Sequence, residues 1–402
     1  MILARLDVDG FRNLEGAADF SPSLNIFYGD NAQGKTNWLE AVYVLGTTKS
    51  FRTSQLRDCI SFDAARSLIT GLTERESISK QLQTLISPSS KELYANGKRE
   101  TLSRYLGNLT VFSLSLEGME VIRGDASNRR RLIDRGIVAL SPAYLDRLAE
   151  YNRVVKQKNK LLVTAQESGS PARFYSQIEV WNEQLISVAS EVHTARSSYV
   201  QMAEAQLERE NHGRAIFGAE SVSIGYRSCL EGKGDLSRYS ELLHERLALR
   251  MPAEIAAGHC LIGPHRDDIE LLADGREVAR FGSAGQQRST LFLLVLAQIS
   301  IYTSTYEERP VLLIDDIDAE LDRGRIEALI SELEGRAQTF VSTSRRAIAN
   351  RYRDRARVLL VERGRIAKDT PAFYETAAPA TRQALEVQTL DAYDEEEAPA
   401  LE

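Results

Sequence analysis

The eight residues GDNAQGKT, positions 29 to 36, constrain this chain more than any other stretch. They fit the spacing G-x-x-x-x-G-K-[ST] in full, with Gly29, Gly34, Lys35 and Thr36 at the fixed positions. The apolar run LNIFY stands directly before them and reads as a buried strand. After them Trp38, Leu39, Val42 and Leu45 recur at helical spacing, which predicts a helix from Gly34 to about Leu45. A buried strand, a glycine loop that includes Asn31, and a helix N-terminus together make a nest of inward-turned N–H groups. Lys35 can neutralise the β and γ phosphates of a nucleotide such as ATP, and the Thr36 hydroxyl can ligate Mg²⁺. The fold class that follows is α/β.

A phosphate loop needs an acid to position the metal. VLLIDD supplies one: four apolar residues read as a central strand, and Asp315 emerges at its C-terminal end, where such sheets bind ligands. Asp315 is the candidate Mg²⁺ partner, and Asp316 is placed to orient an attacking water. A third element, FGSAGQQRS at 281 to 289, puts small residues ahead of a long apolar helix and so builds a second anion cradle. One γ-phosphate does not need two cradles from the same side. Two copies arranged head to tail would use both.

The chain has 402 residues, enough for two or three domains. No apolar run reaches the length of a membrane span, no signal peptide opens the chain, and three widely spaced cysteines fit a reducing compartment, so a cytoplasmic protein is expected. The net charge of −7 argues at first against nucleic acid. Its distribution changes that: the last twelve residues hold six acids and no Lys or Arg, while positions 120 to 160 carry ten basic residues against five acidic ones. The first third reads as strands around one helix, with a hairpin turning at Asn96-Gly97. From about 142 to 250 the text is helical. Ile178, Trp181, Leu185, Val188, Val192, Ala195, Tyr199 and Met202 alternate at spacings of three and four, a heptad seam. That seam fits either a short antiparallel two-helix arm or helices packed in a small domain. The last third returns to α/β text, with a hairpin at Asp274-Gly275 and short apolar strands at 311 to 314, 338 to 344 and 357 to 361. The expected layout is an ATPase head split between 1–115 and 255–375, a helical lobe at 116–254, and an acidic, disordered tail at 376–402.

Several motifs now coincide. Ser283, Ala284, Gly285 and Gln286 resemble the signature loop of ABC-type ATPases. IDDIDAELD, at 314 to 322, resembles a Walker B strand followed by a D-loop. GFRNL at 10 to 14, the phosphate loop with its trailing Asn37, TKSFRT at 48 to 53 and LIGPHRDD at 261 to 268 together resemble the RecF family, in the SMC-like branch of ABC-type ATPases. The resemblance implies a P-loop ATPase head with an inserted, mostly helical second lobe. It implies that Arg12, Asn13, Asn31 and Asn37 lie near the nucleotide, that Lys35, Asp315 and Asp316 serve hydrolysis, and that Ser283, Gly285 and Gln286 close on a partner's nucleotide. Asp322 would then lie at the dimer seam with Ser283. It implies an ATP-dependent homodimer that binds duplex DNA and single-strand gaps and loads RecA with RecR and RecO. Ala284 departs from the usual signature glycine, and Ser344 stands where transporter subunits carry a histidine.

Arg129, Arg130, Arg131, Lys156, Lys158 and Lys160 are candidate contacts to DNA phosphates, or else a solvated helix face. No aromatic residues interrupt these basic runs, which favours duplex backbone over stacked single strands. The polar knot of His265, Arg266, Asp267 and Asp268 fits a metal or nucleotide contact, a brace for the signature loop, or a structural turn. A transporter ATPase would share the nucleotide motifs, and a P-loop kinase would leave the signature unexplained.

Overall fold

The structure is a computed structural model that describes residues 1–76, 78–114, 116–209, 221–320 and 323–367. Asp322 and the tail at 376–402 lie outside these described residues.

Three sheets organise the chain. The first is antiparallel, in the order β2-β1-β4-β5-β6-β7, built from β1 (Ile2–Phe11), β2 (Leu14–Asp19), β4 (Ser67–Arg75), β5 (Ile78–Ile86), β6 (Lys91–Ala95) and β7 (Lys98–Arg99). The second runs β15-β14-β3-β13-β12-β8, from β3 (Leu24–Tyr28), β8 (Val111–Leu114), β12 (Val311–Ile314), β13 (Gln338–Thr343), β14 (Ala356–Glu362) and β15 (Arg365–Ile366). All its pairings are parallel except that of β15 with β14. The third pairs β11 (Arg276–Glu277), β10 (Asp268–Ala273) and β9 (Val222–Arg227).

The parallel sheet is apolar on both faces, and its residues divide by period two. Val311 and Leu313 join a core with Phe27, Phe340, Trp38 and the antiparallel sheet. Leu312 and Ile314 join the opposite core with Ile26, Phe112 and Val341. Helix α1 (Lys35–Thr47) fills the first core. Gln338, fully buried, ties the two sheets: its Oε1 accepts from the Leu3 N–H at 2.8 Å, and its Nε2 donates to the Leu3 and Ser21 carbonyls.

The helical lobe contains α2 (Ala126–Leu140), α3 (Tyr144–Glu167), α4 (Tyr175–Arg209) and α5 (Tyr239–Ala257). Helix α4 carries the predicted seam, and from Ile178 to Tyr199 the seam faces inward. The buried side is wider than a seam, taking in Ile186, Ala189, Arg196 and Val200, because α4 packs against α2, α3, α5, β9 and α6 (Ala284–Tyr306) together. Helix α6 is apolar enough over 23 residues to match a membrane span by composition, and it is buried in the core beside β8 and α4. Strand β9 falls where the text reads as helical. Its pairing with β10 carries a strand from beyond position 255 into contact with the lobe. The two predicted hairpins form, with Asn96-Gly97 and Asp274-Gly275 all at positive φ, as a tight two-residue turn requires.

Candidate functional site

The predicted cradle forms at the C-terminal edge of the parallel sheet. Gly29 has φ 149°, and a Cβ there would stand 2.5 Å from the Val361 carbonyl oxygen, so only glycine lets the loop pass β14. The loop is braced from behind by the turn joining β14 to β15. The Gly364 N–H donates to the Gln33 carbonyl at 2.8 Å, and the Trp38 indole donates to the Gly364 carbonyl at 3.2 Å. Helix α1 begins at Gly34 without a side-chain cap and without an acid in its first turn. Its N-terminal N–H groups are thus left for an external anion. Lys35 is buried, with Nζ donating to the Gly29 and Asp30 carbonyls at 2.9 Å each.

The acid predicted on β12 meets this loop. Thr36 Oγ1 donates to Asp315 Oδ1 at 2.9 Å across 279 residues of sequence. Ser342, at the end of β13, donates to the same oxygen at 2.6 Å and accepts from the Asp316 N–H at 2.8 Å. Hydroxyl and carboxylate oxygens converging in this way are the hard donors that Mg²⁺ prefers. Asp316 sits at φ 46°, an uncommon conformation for a non-glycine residue, and lines a cleft of about 920 Å³ with Arg12, Asn13, Asn31, Gly34, Lys35, Thr36 and Asn37. Burial, followed by the neighbouring Asp315 charge, pushes the Asp316 carboxyl above its usual range.

Behind the cleft lies a residue that the sequence reading missed. Glu40 is fully buried on α1 and accepts from Arg12 Nε and Nη2 at 3.0 and 2.9 Å and from Ser50 Oγ at 2.5 Å. Arg12 is therefore committed to a protein carboxylate while lining the cleft. Arg52 reaches Asn37 at 2.8 Å, and Asn37 donates to Asn13 Oδ1 at 2.7 Å, so the asparagines are aligned by TKSFRT. The only signal for Glu40 was an acid on the apolar face of a predicted helix.

The second cradle stands apart. Ser283 caps α6 in a reciprocal capping box: its Oγ accepts from the Gln286 N–H at 3.2 Å, and Gln286 Oε1 accepts from the Ser283 N–H at 2.7 Å. Ser283, Ala284 and Gly285 are exposed, and none of them lines the Lys35 cleft. The Ala284 methyl therefore crowds nothing in its own chain.

The basic segment divides. Lys158 is fully buried, its ammonium 2.6 Å from Glu254 Oε2, so it cannot reach a phosphate; the expectation that it contacts DNA is corrected. Arg129 forms a two-pronged pair with Asp268 at 2.8 and 2.9 Å, and Arg130 donates to the Asp267 carbonyl at 2.6 Å. Arg131, Lys156 and Lys160 are exposed. The HRDD knot is a structural hub. Asp267, fully buried, accepts from the Cys229 N–H at 2.7 Å and from the Tyr226 hydroxyl, while His265 Nδ1 meets the Tyr151 hydroxyl at 2.6 Å. Burial first, with Arg266 and Arg130 nearby, lowers the His265 pKa to about 4, so the ring is neutral.

Comparison with known proteins decides among the sequence readings. The family model described as RecF/RecN/SMC N terminal domain matches residues 2–367. A DNA replication and repair protein RecF from Geobacillus kaustophilus is 35% identical over 350 residues, covering 86% of this chain and 93% of that protein. One from Lysinibacillus sphaericus is 34% identical over 92% of this chain and all of its own length. The chain belongs to the RecF family. A solved structure of the recombination mediator protein RecF-ATP in the RecFOR pathway superposes with a TM-score of 0.82 at 26% identity, over 92% of this chain and 97% of that one. An Smc head domain from Pyrococcus yayanosii, at 15% identity and a TM-score of 0.52, shares the fold. The head is thus an ABC-type ATPase domain bearing a helical lobe, and the transporter and kinase readings fall away.

Proposed function

We propose that this chain is an ATP-gated DNA clamp in recombinational repair. Each copy binds ATP through Gly29 to Thr36. The γ-phosphate then recruits the exposed Ser283 cap of a second copy, and the pair closes on duplex DNA at single-strand gaps. There it would help load RecA together with RecR and RecO. Mg²⁺ held by Thr36 and Asp315 would supply charge neutralisation at the phosphates. Asp316 would take the proton of the attacking water, and its side chain, shorter than the usual glutamate, suits slow turnover. Hydrolysis then removes the contact that favoured closure. Moving such a switch from open to closed takes roughly 5 kcal/mol of differential binding. Two or three charge-assisted hydrogen bonds of about 1.5 to 3 kcal/mol each supply that.

The observation that carries this reading is the separation of the two cradles: the capped, solvent-facing Ser283 loop has no part in the Lys35 cleft of its own chain. RecF relatives solved with ATP support the nucleotide. Exposed Lys156 and Lys160 remain to track a DNA backbone. Light scattering with ATP and with ADP tests the assembly, and anisotropy of a labelled gapped duplex tests the DNA. Dimers and tight DNA binding are expected with ATP only. Ser283→Arg should abolish the dimer while sparing ATP binding; an ATP-independent monomer that binds gaps equally well in either nucleotide would refute the clamp.

A further inference from the structure

A second cavity lies between the end of α1, β8 and helices α2 and α3, away from the nucleotide cleft. It is about 190 Å³ and is walled by apolar side chains, among them Leu106, Phe112, Leu132 and Leu148. Three cations, Lys49, Arg131 and Arg135, line it as well, and all three are exposed. Lys49 and Arg135 play no part in the nucleotide site and have no ion-pair partner among the described residues. The one acid of the cavity, Asp134, is already spent: Arg196 grips it at 2.8 and 2.9 Å, and the Tyr144 hydroxyl donates to it at 2.8 Å. Lys91, bonded to the Thr48 carbonyl at 3.1 Å, adds a further positive charge nearby. Packing around the Lys49 stem, which strips part of its solvation although the residue as a whole stays exposed, lowers its ammonium pKa, and the Arg135 and Arg131 charges lower it further. Like charges gathered around an apolar hole are unfavourable unless an anion completes them.

We propose that this cavity is the docking site for an acidic peptide segment of a partner protein, with one bulky apolar side chain seated inside and flanking carboxylates against Lys49, Arg131 and Arg135. The size favours this occupant. Pockets for whole small molecules run from roughly 300 Å³ upward, whereas a peptide anchor needs room for a single side chain. The walls favour it over nucleic acid: a phosphate backbone meets the cations, but a duplex keeps its bases stacked and has no apolar knob to fill the hole. Paired arginines recognise carboxylates through several charge-assisted hydrogen bonds, which fixes the segment's register around the anchor.

The test uses the full chain and a fluorescein-labelled heptapeptide of Asp and Glu around one Phe, followed by anisotropy. A second peptide replaces the Phe by Ser. Binding of the Phe peptide is expected, and the Ser peptide, Arg135→Glu and Ala139→Phe should each weaken it at least about tenfold. Ala139 lines the cavity, so its Phe variant fills the hole; Arg135 is exposed, so its variant keeps the test valid if the filled cavity misfolds. Absence of binding, equal affinity for the two peptides, or indifference to Arg135→Glu overturns the proposal. So does a result in which Arg135→Glu weakens binding of a plain duplex but not of the peptide, which would assign the cations to DNA.

Discussion

Ser342→Ala isolates the hydroxyl that joins the two acids of the nucleotide site. The serine donates to Asp315 at 2.6 Å and accepts from the Asp316 N–H at 2.8 Å. Its removal takes one hydrogen bond from a carboxylate and leaves the Asp316 amide without its partner. A hydrogen bond to a charged group is worth about 1.5 to 3 kcal/mol. The amide bond also helps hold Asp316 at φ 46°, a conformation that costs on the order of 1 to 3 kcal/mol by itself. If a loss of about 1.5 to 3 kcal/mol falls on the hydrolytic step, turnover drops roughly ten- to hundredfold, at about 1.4 kcal/mol per decade. On the proposed reading ATP is held by Gly29 to Thr36, so its binding should change little, and kcat falls while KM stays nearly constant. Ser342→Thr keeps the hydroxyl and should restore most of the rate. Steady-state phosphate release with titrated ATP measures both constants. A Ser342→Ala protein with kcat within about twofold of the parent would show that the hydroxyl positions nothing.

Three further outcomes are expected. Asp316→Asn should abolish hydrolysis yet raise stability at neutral pH. The folded carboxyl is raised above its usual value, so ionising it opposes folding; the gain is greatest above the folded pKa and fades as pH falls below the ordinary Asp value of 3.8, which urea melts at pH 7 and about pH 3 will show. Lys158→Met strands Glu254 in the core and should cost about 3 to 5 kcal/mol in urea unfolding, with no change in the salt dependence of DNA binding. Lys156→Ala, at an exposed position outside the second cavity, should leave stability within about 0.5 kcal/mol. It should also reduce the slope of log affinity against log salt for a plain duplex by about one unit.

Much of the candidate nucleotide site was legible because its geometry is local. VLLI is apolar throughout, and LNIFY is so apart from Asn25, whose amide is satisfied by Ser21, since both faces of their sheet are covered; the glycines of the phosphate loop follow from backbone geometry within a few residues. The heptad seam identified α4 for the same reason. Less legible was Lys158. It lies on the stripe of Tyr151, Val154, Leu162 and Ala165, all buried on α3, so its helical position pointed inward even though its charge pointed out. Strand β9 was lost among helices because its alternation is short and its partner β10 lies some forty residues further on.

The chain's own text determined where a phosphate could be gripped, which aspartates follow the facing strand, and that a capped helix presents a second cradle; each depends on neighbours within one turn or one strand. Only the tertiary structure decided which charges are free. Glu40 claims Arg12, Asp268 claims Arg129, Glu254 claims Lys158, and Ser342 joins two acids from a different strand. The physical reason is that a buried charge must find a partner, and packing, not sequence distance, selects it.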